Sequence, residues 1–300
     1  MLFDDIQRTV YNKMKKKINF PLILLIASLG TALLAVIARS ILTQTQLDVK
    51  YGVYARDTIL PTVFHIALAV ILTALVFISL ATAPKHSKEY TCPNSNSGIF
   101  ISSTIAFLLV ADILFSLYYI YKHIEETKNI SPELLEKMTL LERLPLFDIL
   151  ELVFCIPAII FFLSFIFEKV KVPAARAFCS FFPTAWCTVC LIRIYFDTTV
   201  LNTSPSKTLF EIALLAAMLY FLNESRSLLG IFSHRFYLAT ATVAPVLLFT
   251  SAIPSLLFPT KLLIGESDSF LRCTICAAFA VFIWIRYGAY VSSLKKADTE

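Results

Sequence analysis

Ionisable side chains recur inside or at the ends of the long apolar segments of this sequence. The candidate binding residues are His65, Asp112, Asp148, Glu151, Arg193, Asp197, Lys207, Glu211 and Arg272. Ionisable groups in apolar segments normally face a helix-bundle interior or a water-filled cavity, because contact with hydrocarbon is costly. They predict a site for a small solute or an ion. The alternative is a network of ion pairs and snorkelling side chains that only fixes packing.

Four of these candidates form two pairs of opposite charge at helical spacing. Arg193 and Asp197 are four residues apart, as are Lys207 and Glu211. Residues with this spacing share one face of a helix. Each pair can therefore neutralise itself locally.

A third pair has like charges and needs a partner. Asp148 and Glu151 are three residues apart at the start of one apolar segment, so their charges gain from a cation, an arginine or water between them. Arg272 is a candidate partner at the same predicted depth. We also expect Arg193 to face the bundle interior and to pair with at least one acid among Asp148, Glu151 and Asp197, because an unpaired arginine facing lipid is penalised.

Two further candidates stand alone in apolar segments. Asp112 lies near the middle of its segment, which is consistent with a proton or cation role. The alternative is a buried aspartate that is hydrogen-bonded to Ser, Thr or Tyr neighbours. His65 favours a core hydrogen bond over a role as ligand or proton shuttle.

Two Cys-x-x-Cys pairs also have a spacing that suggests chemistry. We call them the paired cysteines: Cys187, Cys190, Cys273 and Cys276. On two helices they could present four thiolates to zinc. Zinc requires deprotonated thiolates and a polar surrounding shell, whereas the flanking residues are apolar. We interpret these cysteines as small hydrophobic residues and expect neither a metal nor a cofactor.

The composition determines which elements must position these residues. Hydrophobic residues make up 58% of the 300 residues, charged residues make up 16%, and mean hydropathy is +0.76. Soluble domains are nearer to one quarter charged, and disorder requires low hydrophobicity. The chain is therefore predicted to be a multi-pass membrane protein.

Eight apolar runs are long enough to cross a bilayer core of about 30 Å as helices. They cover 20–38, 60–82, 99–121, 146–167, 173–196, 207–224, 236–258 and 270–291. The runs lack the alternation of barrel strands. We predict an all-α polytopic bundle of eight helices with short loops, or of seven if Glu211 prevents the sixth segment from spanning.

The predicted domain organisation is a single membrane domain with two short tails. Residues 1–19 form a basic cytoplasmic segment, 20–291 the transmembrane domain, and 292–300 a cytoplasmic tail. The first apolar run is too long for a usual signal-peptide core, so we expect a retained anchor. Lys and Arg before the first span and an even number of spans predict that both termini are cytoplasmic.

One connecting segment contains a predicted helix of its own. Ser131-Pro132-Glu133 has the features of a helix start, and apolar residues follow at helical spacing. We interpret it as an amphipathic helix on the outer interface. The alternative is a cap over an external cavity.

No catalytic motif supports an enzyme. The chain has no His-Glu-x-x-His, Gly-x-Ser-x-Gly or phosphate-binding glycine loop. The leading interpretation is a binding protein, either a transporter-like permease or the membrane part of a sensor. The alternative is a non-catalytic accessory or structural subunit. Expected partners are the lipid bilayer, a small solute or ion, and another membrane protein, but no nucleic acid.

A short stretch carries a resemblance to other proteins. It comprises Tyr195-Phe196-Asp197, Asn202, Ser204-Pro205, Lys207, Glu224 and Arg226. This pattern resembles uncharacterised multi-pass membrane proteins of low-GC Gram-positive bacteria. The resemblance covers about 30 residues and implies a bacterial plasma membrane. It carries no characterised function.

Overall fold

A computed structural model describes most of the chain in eight segments. They cover residues 19–48, 53–54, 59–83, 95–128, 145–166, 173–196, 204–258 and 269–297. The predicted interfacial helix after Ser131 and both predicted tails, apart from residues 19 and 292–297, lie outside these segments. So do Asp197 and Asn202 of the stretch with the resemblance.

The described residues form nine helices and one very short hairpin ladder. The helices are α1 (Phe20–Gln46), α2 (Leu60–Thr82), α3 (Asn96–Lys128), α4 (Leu146–Leu163), α5 (Pro173–Cys179), α6 (Phe182–Phe196), α7 (Pro205–Leu228), α8 (His234–Leu257) and α9 (Ser269–Ala297). The strands β1 (Leu47–Asp48) and β2 (Val53–Tyr54) pair antiparallel, which the sequence did not predict.

Eight helical segments are long and apolar enough to cross a membrane, as the sequence predicted. The sixth is α7, which has 24 residues despite the charge of Glu211. Eight spans are therefore favoured over seven, and the fold is an all-α polytopic bundle. The fifth span consists of α5 and α6 together.

Several predicted segments differ from the observed helices, and two of these differences have a physical reason. The first helix continues from Ala38 to Gln46, because polar residues extend a helix once one of its faces is buried. The fifth segment is interrupted at Ser180 and Phe181. Pro183 has no backbone N–H to donate to the carbonyl one turn earlier, so it begins a new helix instead of lying inside one.

The helix α8 lies at the centre of the bundle. It packs against α1, α2, α7 and α9 and is the most buried of the eight spans. Its small residues, among them Ala241, Ala244 and Ser251, are fully buried and allow neighbouring helices to approach closely. The helix α2 is the least buried span and lies at the edge.

Large apolar side chains cover the outside of the bundle. Leu34, Phe100 and Phe107 are 71%, 75% and 72% exposed. A soluble monomer rarely exposes contiguous apolar surface of this kind. The surface therefore contacts the hydrocarbon of a bilayer.

Candidate functional site

Glu151 is the centre of a buried charge network. Its side chain is 1% exposed. The Arg272 guanidinium donates to both carboxylate oxygens, from Nε to Oε1 at 3.1 Å and from Nη2 to Oε2 at 2.8 Å. Arg193 Nη1 donates to Oε2 at 3.1 Å, and Cys190 Sγ lies 3.5 Å from Oε1. Four donors from α6 and α9 thus converge on a carboxylate of α4.

The network reaches the protein surface at Asp148. Arg193 Nη1 donates to Asp148 Oδ1 at 2.7 Å, and these two side chains are 23% and 14% exposed. Arg193 is near the end of α6, whereas Asp148 and Arg272 are near the starts of α4 and α9. Alternating helix directions bring these termini to one end of the bundle. The predicted interior pairing of Arg193 and the predicted role of Arg272 as a partner are confirmed.

Asp112 lies deeper, in the middle of α3, and is 2% exposed. Its Oδ2 accepts a hydrogen bond from Trp186 Nε1 at 2.9 Å and lies 3.5 Å from Cys155 Sγ. The predicted Ser, Thr or Tyr partners are thus wrong, because an indole and a thiol on α6 and α4 occupy those places. Both donors are neutral, and no Lys or Arg of the described segments forms a salt bridge with Asp112.

These groups form one electrostatic unit, which we call the Arg193 network. Its members are Asp112, Asp148, Glu151, Arg193 and Arg272. Asp112 lies within electrostatic range of Glu151 and Arg272. Three carboxyl groups meet two guanidinium groups, so with every group ionised these five described groups together carry one more negative than positive charge. In a low-dielectric interior such a charge favours uptake of a proton or a cation.

Three further candidates, Lys207, Glu211 and Asp197, are not among the five members of the Arg193 network. Lys207 is buried at the start of α7, whereas Glu211 is half-buried, and these two described side chains form no salt bridge with each other. The predicted local neutralisation of this pair is wrong. Asp197 lies outside the described residues, so its pairing with Arg193 stays a prediction.

His65 makes local contacts on α2. Its Nδ1 lies 2.6 Å from the Pro61 carbonyl oxygen, and its ring packs against Phe64 and Tyr54. His65 thus makes one hydrogen-bond contact within its own helix and two contacts with aromatic rings. They tie the β2 strand to the start of α2.

The paired cysteines are all buried. In the part of the chain that the structure describes, no group of three or more His, Cys, Asp or Glu side chains could hold a metal ion. The polar neighbour of Cys190 is Glu151, which already binds two arginines.

Sequence reasoning missed Arg39. It lies one residue beyond the predicted first span, yet it is 1% exposed. Its Nη1 donates to the carbonyl oxygens of Thr250 at 2.7 Å and Ser251 at 2.9 Å. Pro254 leaves the Thr250 carbonyl without its usual helical donor, and Arg39 replaces that donor. The spacing of Ala35, Arg39 and Leu42 on one helix face was the available signal.

Sequence reasoning also missed a second ion pair, at the opposite end of the bundle. Arg286 of α9 donates to Glu224 of α7, and both side chains are almost fully buried. The Arg286 guanidinium carbon lies 5.0 Å from the centre of the Phe165 ring. The available signal was one acid and one base at matching depth in two predicted spans.

The fold and these contacts define a polytopic all-α integral membrane protein with buried charge pairs towards both ends of its bundle. No family model, curated protein or solved structure matches the chain.

Proposed function

We propose that this protein binds a small cation, specifically a proton, through the Arg193 network, and that it acts as the membrane module of a transporter or a sensor. We place it in a bacterial plasma membrane, as the sequence resemblance implies. The observation that carries the proposal is the environment of Asp112. This buried carboxyl has two neutral donors and forms no salt bridge within the described segments.

The contrast with Glu151 supports Asp112 as the binding residue. Glu151 accepts from two arginines, which balance its charge and occupy both oxygens. Asp112 shares the same buried region without such a contact. Burial of an unpaired carboxylate is strongly unfavourable, so the group that takes up the missing positive charge is Asp112.

The geometry also supports a route between Asp112 and one membrane face. Asp148 and Arg193 are partly exposed at the end of the bundle, and Glu151 lies between them and the interior. Intramembrane carboxyl groups that form such series mark proton and ion pathways. Arg193 and Arg272 balance the charges of Asp148 and Glu151, so the series stays polar.

Infrared difference spectroscopy of the purified protein in nanodiscs tests this proposal. A step from alkaline to acidic buffer should produce a carboxylic-acid carbonyl band, and ¹³C-labelled aspartate should shift that band. Asp112→Asn should remove it, whereas the matched control Glu211→Gln should retain it. An unchanged band in a folded Asp112→Asn protein would contradict the proposal.

The alternative is a non-catalytic accessory or structural membrane subunit. The saturation of Glu151 by four donors favours it, because a fully satisfied network can stabilise packing without binding anything. In that case substitutions in the network lower stability and the acid-induced aspartate band is absent from the wild-type protein.

A further inference from the structure

A buried cation without a carboxylate partner lies on α1. Arg39 is 1% exposed, and no Asp or Glu of the described segments forms a salt bridge with it. The titratable groups within electrostatic range of its guanidinium are Tyr54 and Cys273, a phenol and a thiol. Burial of an unbalanced charge is strongly unfavourable, so the surroundings of Arg39 favour a ligand of negative charge.

The hydrogen bonds of Arg39 satisfy one of its terminal nitrogens and leave the other without an acceptor. Its Nη1 donates to the carbonyl oxygens of Thr250 and Ser251, which accept hydrogen bonds but carry no net charge. Its Nη2 is buried and has no hydrogen-bond partner among the described residues. A buried donor without an acceptor costs free energy. Nη2 therefore offers its N–H groups to a further acceptor.

A second donor without an acceptor belongs to a residue that Arg39 already contacts. Thr250 Oγ1 is buried and has no hydrogen-bond partner among the described residues, whereas the carbonyl oxygen of the same residue lies 2.7 Å from Arg39 Nη1. The hydroxyl and the guanidinium can both donate. Hydrogen bonds from a charged donor to an anion are the strong ones, so the two groups together can bind an anion.

Charge and burial define the class of this anion. Arg39 supplies one positive charge, which a monovalent anion balances and a divalent anion exceeds. The guanidinium is enclosed by α1, α8 and α9 and by the β1–β2 hairpin, which supplies the partly exposed Tyr54. Such an enclosed position favours an ion of a single atom over a phosphate or a carboxylate-bearing solute. A halide has both properties.

We propose that Arg39 binds a chloride ion between its Nη2 group and the Thr250 hydroxyl, beneath the β1–β2 hairpin. The ion balances the guanidinium charge and supplies an acceptor to both donors. It thereby stabilises the contact of α1 with α8 in the turn before Pro254. The site is independent of Asp112, because no carboxyl group of the Arg193 network is within electrostatic range of Arg39.

Thermal unfolding of the purified protein in detergent micelles, followed by tryptophan fluorescence, tests the proposal. Replacing gluconate by chloride at constant ionic strength should raise the Tm of the wild-type protein by roughly 2–4 °C, the shift expected for a ligand at several times its Kd. Bromide should act like chloride, and sulfate should act like gluconate. The comparison requires no variant, so it remains decisive if a substitution prevents folding.

Two variants and a matched control assign the effect to the site. Arg39→Gln should abolish the chloride dependence of Tm. Thr250→Val, which keeps the carbonyl oxygen, should raise the half-saturating chloride concentration severalfold. The control Arg235→Gln removes the same charge from an exposed position at the start of α8 and should retain the wild-type response. Broadening of the ³⁵Cl magnetic resonance line should follow the same order.

Three results would overturn the proposal. If the wild-type Tm is the same in chloride and in gluconate, water or distant charges satisfy Arg39 and no halide binds. If folded Arg39→Gln keeps the chloride dependence, the ion binds elsewhere. If sulfate or inorganic phosphate stabilises the protein as chloride does, the site does not select a small monovalent anion. None of these results bears on protonation of Asp112, which the infrared bands report separately.

Discussion

The two arginines of the Arg193 network should differ in what they contribute to stability. Arg272 donates twice to Glu151, and the side chains are 8% and 1% exposed. Breaking a buried pair from one side costs about 3–5 kcal/mol, because a buried charge is left uncompensated. We expect Arg272→Gln to lower the free energy of unfolding by about 4 kcal/mol, at the middle of that range.

Arg193 should contribute less to stability than Arg272, because its site is partly exposed to water and because Glu151 keeps its contact with Arg272 when Arg193 is replaced. It is 23% exposed, its partner Asp148 is 14% exposed, and Glu151 keeps Arg272. Exposed pairs contribute about 0–1 kcal/mol, and this pair lies between the two limits. We expect Arg193→Gln to cost about 2 kcal/mol. Adding Asp148→Asn should recover about 1 kcal/mol, because it removes the acid left unpaired.

Reversible unfolding in mixed detergent micelles measures these differences, with tryptophan fluorescence as the signal. The control is Lys122→Gln, which removes an exposed pair with Glu126 at 3.7 Å and should change stability by less than about 0.5 kcal/mol. A larger loss for Arg193→Gln than for Arg272→Gln would refute the reasoning from burial. The absence of recovery by Asp148→Asn would refute the pairing.

The other predictions concern a helix contact, the thiols and the topology. Arg39→Leu should lower the free energy of unfolding by about 1–3 kcal/mol, because it leaves a buried carbonyl oxygen without a donor. Adding Pro254→Ala to Arg39→Leu should recover part of that loss, because alanine returns a backbone N–H. An equal loss in the single Arg39→Leu variant and in the double variant would contradict this. Changing the paired cysteines to Ala should leave expression intact, and elemental analysis of the wild-type protein should find no stoichiometric zinc. Reporter fusions after Lys16 and at Glu300 should both report the cytoplasm; an external signal at Glu300 would exclude an even number of spans.

Much of the architecture followed from hydropathy, because few kinds of backbone structure can cross a bilayer. An apolar run of about 20 residues must become a helix if its backbone groups are to be satisfied in lipid. The eight spans were therefore predictable, including α7 with its internal acid. Helix ends were less predictable, since Arg39 continues α1 only because α8 offers carbonyl oxygens to its guanidinium.

The main charge pairing was partly predictable from depth. Asp148, Glu151, Arg193 and Arg272 lie at the same end of the fourth, fifth and eighth spans, and charges buried at the same depth are expected to pair. Their geometry was not predictable. That Glu151 and not Asp148 receives both arginines depends on how α4 is rotated against α6 and α9, which hydropathy does not specify.

By itself the sequence determined the class of protein, the number of spans and the end of the bundle where the first charge network forms, because each depends on polarity along a single chain. Only the tertiary structure decided the partners. It paired Asp112 with Trp186 and Cys155, and it joined Glu224 to Arg286. These contacts join residues 74, 43 and 62 positions apart on different helices. Such separations leave no periodic signal in the chain, and helix packing alone brings the side chains together.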